Sequence, residues 1–285
     1  MTPFSKRKAG FFVTNDDIQG CMAIQQILHD EGNYHASLVI YWEIIMKVVG
    51  IDPAPKKHAT LFERSSGWSE IDAHLLPQVI DKWPNSNGLL LCWDAPLTVG
   101  GYGSGRYYER DIERFFHNHK DFMVPEGISV LPFAGCSHWA VTHATFGLPK
   151  TGKWSFPLAD LPFALRETGG PPDQIGRFVV EVHPAVSLWL WCRERMPNGP
   201  WTYKTRKANR ELIWKTFSNV IPHYLPEREP KNDDEIDSFV ACLLGELWIT
   251  QQNVVLLGCI GTGSFLVPDR DNIAAAFQHF VDSRQ

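Results

Sequence analysis

Five carboxylates in this chain stand where a carboxylate is costly to bury. Asp52 ends the run Lys47-Val48-Val49-Gly50-Ile51 and is followed by Pro53-Ala54-Pro55, and Asp94 ends Leu89-Leu90-Leu91-Cys92-Trp93 ahead of Ala95-Pro96. Glu181 lies inside Phe178-Val179-Val180-Glu181-Val182, while Asp234 and Asp237 open the segment Asp233-Asp234-Glu235-Ile236-Asp237-Ser238-Phe239-Val240. An apolar run that stops at an acid and a proline break reads as a buried strand presenting that acid at its carboxyl end. Ligands of open α/β sheets gather at such ends. Asp234 and Asp237, spaced i and i+3, fall on one helical face. Carboxylates gathered in a low-dielectric site need something to cancel their charge, and a divalent cation is the usual answer. The expectation is a centre for Mg²⁺ or Mn²⁺ held by Asp52, Asp94, Glu181, Asp234 and Asp237. Two such ions about 3.5–4 Å apart can activate water and stabilise the leaving oxygen in phosphodiester hydrolysis. Singly, each acid has a plainer role, Asp94 as a turn residue and Asp233 as a helix cap; the agreement of several placements favours the metal.

The elements that must position these acids follow an α/β pattern from Lys47 onward. After the Asp52 strand, residues 58–63 and, more weakly, 67–71 read as strands close enough to form an antiparallel meander. Asp72 can cap a helix running to Trp83 and disturbed by Pro77. The Asp94 strand leads to a glycine loop at residues 100–105 and a charged helix over 106–119. Residues 121–177 carry many Pro and Gly and read as loops with short helices. The Glu181 strand, an aromatic segment at 188–191, a basic helix over 204–217, a connector at 222–230 and the acid-opened helix over 233–250 follow. Short strands at 254–257 and 264–267 and a helix over 272–281 close the chain. Residues 1–46 differ: Ile18, Met22, Ile24, Ile27 and Leu28 suit an amphipathic helix, and Met46-Lys47 resembles a protein start. The expected division is an N-terminal extension over 1–46, either a helical appendage or an upstream addition, and one domain over 47–285.

With 285 residues, 44% of them hydrophobic, the chain can bury a substantial core. A net charge of -5 argues against nonspecific coating of nucleic acid but permits a local basic face. Lys204, Arg206, Lys207, Arg210 and Lys215, if carried on one helix, would supply such a face, or simply a solvated one. Six cysteines without a CxxC pair exclude zinc-ribbon spacing and suit a reducing cytoplasm. His117-Asn118-His119 and Cys136-Ser137-His138 lack a second ligand pair at zinc spacing. No apolar run approaches the roughly 18 residues of a membrane span, and the N-terminus lacks the apolar core of a secretory signal. The glycine loop at 100–105 offers a phosphate cradle, a lid or a plain linker, without the Walker pattern. His183 shares a strand face with Glu181, beside the metals or merely packed.

Six motifs in order carry a family likeness: GIDPAP at 50–55, LCWDAPL at 91–97, GRYYERDIERFF at 105–116, VVEVHPA at 179–185, YKTRKANRELI at 203–213 and DDEIDSFVACLLGEL at 233–247. From about residue 48 to 268 the chain resembles the predicted nucleases of the ribonuclease H-like superfamily, specifically the domain of unknown function 429 family. The resemblance implies an α/β fold with a ribonuclease H-like mixed central sheet flanked by helices, here with an N-terminal helical extension. It also implies a metal-dependent nuclease acting on DNA or RNA. Asp52, Asp94, Glu181 and Asp237 fall on the family's acidic, catalytic positions, and Asp234 adds the second acid of a helix pair. Arg106, Asp111 and Arg114 match an arginine-rich helix, and Lys204 and Arg210 a basic one; Arg106, Lys204 and Arg210 are the expected substrate contacts. Ser238 stands where alanine is usual, and residues 1–46 have no counterpart.

Competing classes meet specific objections. An aspartate-nucleophile phosphohydrolase wants a second acid two residues after the first, where Ala54 stands. A sugar-kinase or actin-like ATPase expects Gly and Thr after the first Asp, where Pro53 stands. A non-catalytic nucleic-acid-binding module of the same fold is the remaining alternative. Substrate choice in such enzymes lies in surface shape and loops, so DNA, RNA, hybrid and branched substrates stay open.

Overall fold

Two apolar strands running side by side bring the first pair of acids together. In the computed structural model, β1 (Met46–Asp52) pairs in parallel with β4 (Gly88–Trp93), and Ile51 is matched to Trp93. One further step along both strands sets Asp52 level with Asp94, whose amide donates to the Ile51 carbonyl at 2.9 Å. The described residues are 46–54, 58–83, 88–98, 109–131, 142, 163–260 and 263–284, all within a unit that spans Glu43–Gln285. The N-terminal extension expected over 1–46 lies, Met46 apart, outside the described residues, as do the glycine loop and Arg106.

The central sheet has six strands in the order β3-β2-β1-β4-β6-β5. Strands β2 (His58–Glu63) and β3 (Gly67–Asp72) form the expected antiparallel meander on β1. On the other side β6 (Arg177–Glu181) is parallel to β4, and β5 (Ala164–Arg166) adds a parallel edge within a segment expected to be loop. The molecule is thus α/β, with a mixed sheet flanked by helices. Helix α1 (Leu76–Asp81) is shorter than expected because residues 73–75 form a turn. Pro77 sits in its first turn, where a missing amide hydrogen costs nothing.

Side chains on a strand alternate between faces. One face of β1 and β4 carries Val49, Ile51, Leu89, Leu91 and Trp93 into a core with α1. The opposite face meets helix α5 (Asp233–Ile249), which is buried over nearly its whole length, as suits a helix apolar all round. Asn232 caps it, its side chain accepting from the Glu235 amide at 2.8 Å. Two glycines allow this close approach. A Cβ on Gly50 would stand 2.0 Å from the Ser238 carbonyl oxygen, and one on Gly245 would stand 2.4 Å from Cys92 Sγ. The contact at Gly50 matters for the site, because Gly50 lies two residues before Asp52 and Ser238 directly follows Asp237.

Around this centre pack α2 (Asp111–Asn118), α3 (Pro184–Cys192) and α4 (Lys207–Val220). A separate antiparallel pair, β7 (Val254–Cys259) and β8 (Gly263–Pro268), precedes α6 (Ile273–Asp282). The aromatic segment at 188–191 belongs to α3. The basic helix starts at Lys207 rather than Lys204, so Lys204 sits on the preceding turn and Arg206 at the cap. Among the described residues, no helix is long and apolar enough to cross a membrane.

Candidate metal centre

Asp52 and Asp94 leave adjacent parallel strands at one level, and α5 lays Asp237 across them on the same face of the sheet. One carboxylate oxygen from each of Asp52, Asp94 and Asp237 lies within 4.8 Å of the others. Asp52 is 4% exposed and Asp237 fully buried. Oxygens held at roughly 2.0–2.6 Å around one ion are at most about 5 Å apart, so this spacing fits a single hard divalent cation. Asp237 Oδ2, buried and facing a positive charge, is an oxygen donor of the kind such an ion takes. Burial first, and then neighbouring acids, hold the Asp52 carboxyl well above the usual carboxylate range. Asp94 is pushed up to about 8 by burial, against the nearby Lys204 ammonium and with Asp237, Glu181 and Asp234 adding to the rise. Asp237 is likewise raised by burial, opposed by Lys204 and by the Tyr203 hydroxyl.

Two consecutive residues hold Asp237. The Tyr203 hydroxyl donates to Oδ1 at 2.5 Å. The Lys204 ammonium stands 2.6 Å from Oδ2 as an ion pair. Burial alone would lower the Lys204 pKa; Asp237, Tyr203, Asp94 and Asp52 reverse this and raise it well above its ordinary value.

Glu181 does not join the three aspartates. Its strand is matched Trp93 to Glu181, so it leaves the sheet on the side of Ile51 and Trp93 and borders the same cavity as Asp94 without entering the group of three. There it meets Arg110, which the sequence reading passed over. The Arg110 guanidinium donates to Glu181 Oε1 at 2.5 Å and Oε2 at 2.7 Å, to Glu113 Oε1 at 2.7 Å through Nε, and to the Thr98 carbonyl and hydroxyl at 3.1 and 3.0 Å. Glu181 Oε2 also accepts from the Leu97 amide at 2.9 Å. Arg110, Glu113 and Glu181 are all essentially buried. This clamp ties residues 97–98, just after Asp94, to β6 and to the start of α2. Burial pushes Glu181 up to about 7, with Arg110 working against it. The signal available in the sequence was the Arg110-x-x-Glu113 spacing of a helix start, where Glu113 also accepts from the Arg110 amide at 2.7 Å.

The other expected residues fall as follows. Asp234 is half-buried one turn before Asp237 and adds to the rise of Asp52 and Asp94, but lies outside the group of three. Arg210 is paired with Asp233 at 3.2 Å. His183 caps α3: its Nδ1 faces the Val186 amide at 3.5 Å and its Nε2 the Ser129 carbonyl at 3.1 Å. Burial drives its pKa down to about 4, so the ring is neutral, with the hydrogen on Nε2. It packs and caps. A cavity of about 390 Å³ opens beside Asp94 and Glu181 and is also lined by His183, Tyr203, Lys204 and Phe265. A larger one, about 710 Å³, lies at the amino end of β1 around Arg64 and Glu246 and is not lined by Asp52, Asp94, Glu181, Asp234 or Asp237.

No protein-family model matches this chain, and neither a curated protein nor a solved structure does. The functional reading therefore stands on the geometry and on the motifs themselves.

Proposed function

We propose that this chain is a divalent-metal-dependent phosphodiester hydrolase, a nuclease of ribonuclease H-like type, related to the domain of unknown function 429 family. The observation that carries the reading is the convergence of Asp52, Asp94 and Asp237 from two strand ends and one helix. An antiparallel meander running into parallel strands is compatible with that fold. Asp52, Asp94 and Asp237 would hold the ion. Bound Mg²⁺ or Mn²⁺ supplies Lewis-acid stabilisation of phosphate oxygens and makes an attacking water more acidic.

The chain's own residues do the rest. Tyr203 keeps Asp237 in one orientation, and the Arg110 clamp keeps the segment after Asp94 in place. Lys204, half exposed at the rim, offers a positive charge to a phosphate in the neighbouring cavity. Phe265 gives one side of that cavity an apolar wall. One observation favours a second reading. The Lys204 ammonium already serves as a counter-charge to Asp237, as suits a nucleic-acid-binding module that never turns over.

The deciding experiment is a cleavage panel of single- and double-stranded DNA, RNA, a hybrid and a branched junction, each with Mg²⁺, Mn²⁺ or EDTA. The nuclease reading expects metal-dependent cleavage of at least one substrate, lost in EDTA and lowered roughly a hundredfold or more in Asp52→Asn. Binding without cleavage across the panel would leave the non-catalytic module.

A further inference from the structure

Asp237 is the most deeply buried acid of the three, and its two oxygens are treated differently. Oδ1 is fixed by a hydroxyl from Tyr203, a residue packed in the interior. Oδ2 faces the Lys204 ammonium at 2.6 Å. The Lys204 side chain is 50% exposed and leaves the turn ahead of α4. It also lines the cavity of about 390 Å³ that Asp94 borders. The same ammonium therefore has two places open to it, the acid cluster and the cavity. A lysine is suited to this, being a compact point charge on a flexible four-carbon stem.

We propose that Lys204 is a displaceable counter-cation: it neutralises Asp237 in the metal-free protein, and a divalent ion taken up by the three aspartates drives it out toward the cavity. The inference rests on the metal-centre reading above. Ammonium and ion compete for one oxygen, so Lys204 weakens metal binding while the cavity is empty. The ion replaces the charge that Lys204 supplied to Asp237, and the released side chain, half of which already meets solvent, has the cavity to enter. Once released, its charge stands where a phosphate of the substrate would lie. Metal and phosphate are thereby coupled, each favouring the other.

The test is calorimetric titration of the full chain with Mn²⁺ alone, which needs no turnover. Lys204→Met keeps the stem and removes the charge, so it should bind Mn²⁺ roughly tenfold more tightly than wild type. Lys204→Arg keeps a charge and should stay near wild type. Lys207→Met, which removes an exposed lysine paired with Glu211, should change nothing. Unchanged or weaker binding in Lys204→Met overturns the proposal, and so does equal tightening in Lys207→Met. If neither wild type nor Lys204→Met binds Mn²⁺, the metal centre itself is wrong and the proposal falls with it. Binding in wild type that Asp52→Asn abolishes, with no effect of Lys204→Met, keeps the centre and removes only the role given to Lys204.

Discussion

The carboxyl ends of the parallel strands hold two groups of buried acids, and the protein treats them in opposite ways. Glu113 and Glu181 share one fully buried guanidinium, and the Leu97 amide meets Glu181 as well. Asp52, Asp94 and Asp237 lie around the Lys204 ammonium, carried on a half-exposed side chain, and all three are pushed above the ordinary carboxylate range. Removing charges from water is tolerable when the geometry repays it. In the first group the fold makes that repayment itself. In the second the carboxyls stay raised, and carboxyls perturbed in this way beside a cavity mark a candidate functional site more than burial does.

Breaking the satisfied group should have the largest effect. Arg110→Met strands two buried carboxylates and should cost about 3–5 kcal/mol, read by chemical denaturation. A loss below about 1 kcal/mol would mean that the clamp does not hold the strand ends together. Gly50→Ala attacks the approach of α5 to β1, where a Cβ meets backbone that cannot step aside. It should cost about 1–3 kcal/mol and weaken the rise in melting temperature brought by Mn²⁺, since Asp237 moves away from Asp52. Full retention of that rise would show that the close contact does not set the site.

Relieving the second group should do the reverse. Asp52→Asn removes one charge at nearly constant volume, so the metal-free protein should keep its stability or gain up to about 1 kcal/mol. The Mn²⁺-induced shift in melting temperature should vanish with the same change, because an ion specific to the folded state stabilises only what it binds. Equal shifts in the variant and wild type would remove Asp52 from the site.

A pH dependence separates the two groups further. Asp94 holds its proton up to about 8 in the metal-free fold, against an ordinary value of 3.8. Between those values the folded chain binds more protons than the unfolded one, so the slope of stability with pH is negative there. The contribution of Asp94 is complete below its unfolded value and is lost as pH rises through about 8. In EDTA, the melting temperature of wild type relative to Asp94→Asn should fall steadily over that window. A flat difference would mean that ionising Asp94 costs the fold nothing.

Much of the centre was legible because its signals are local. An apolar run ending in Asp52 and a proline needs no partner to be read as a strand end, and the same holds for Asp94. Asp234 and Asp237 announce a shared helical face by their spacing alone. The role of Glu181 was not legible, because its partner Arg110 lies 71 residues away. Lys204 was read as part of a helix that in fact begins at Lys207, and the acid it meets is 33 residues further along.

By itself, then, the sequence determined the strands and helices that carry the acids, the proline breaks after Asp52 and Asp94, and the presence of an acid at those ends, all properties of neighbouring residues. Only the tertiary structure decided which acids meet. Matching Ile51 to Trp93 and Trp93 to Glu181 puts Asp52 and Asp94 on one face and Glu181 on the other. That register is set by hydrogen bonds between distant segments, and a shift of one residue would exchange the two faces.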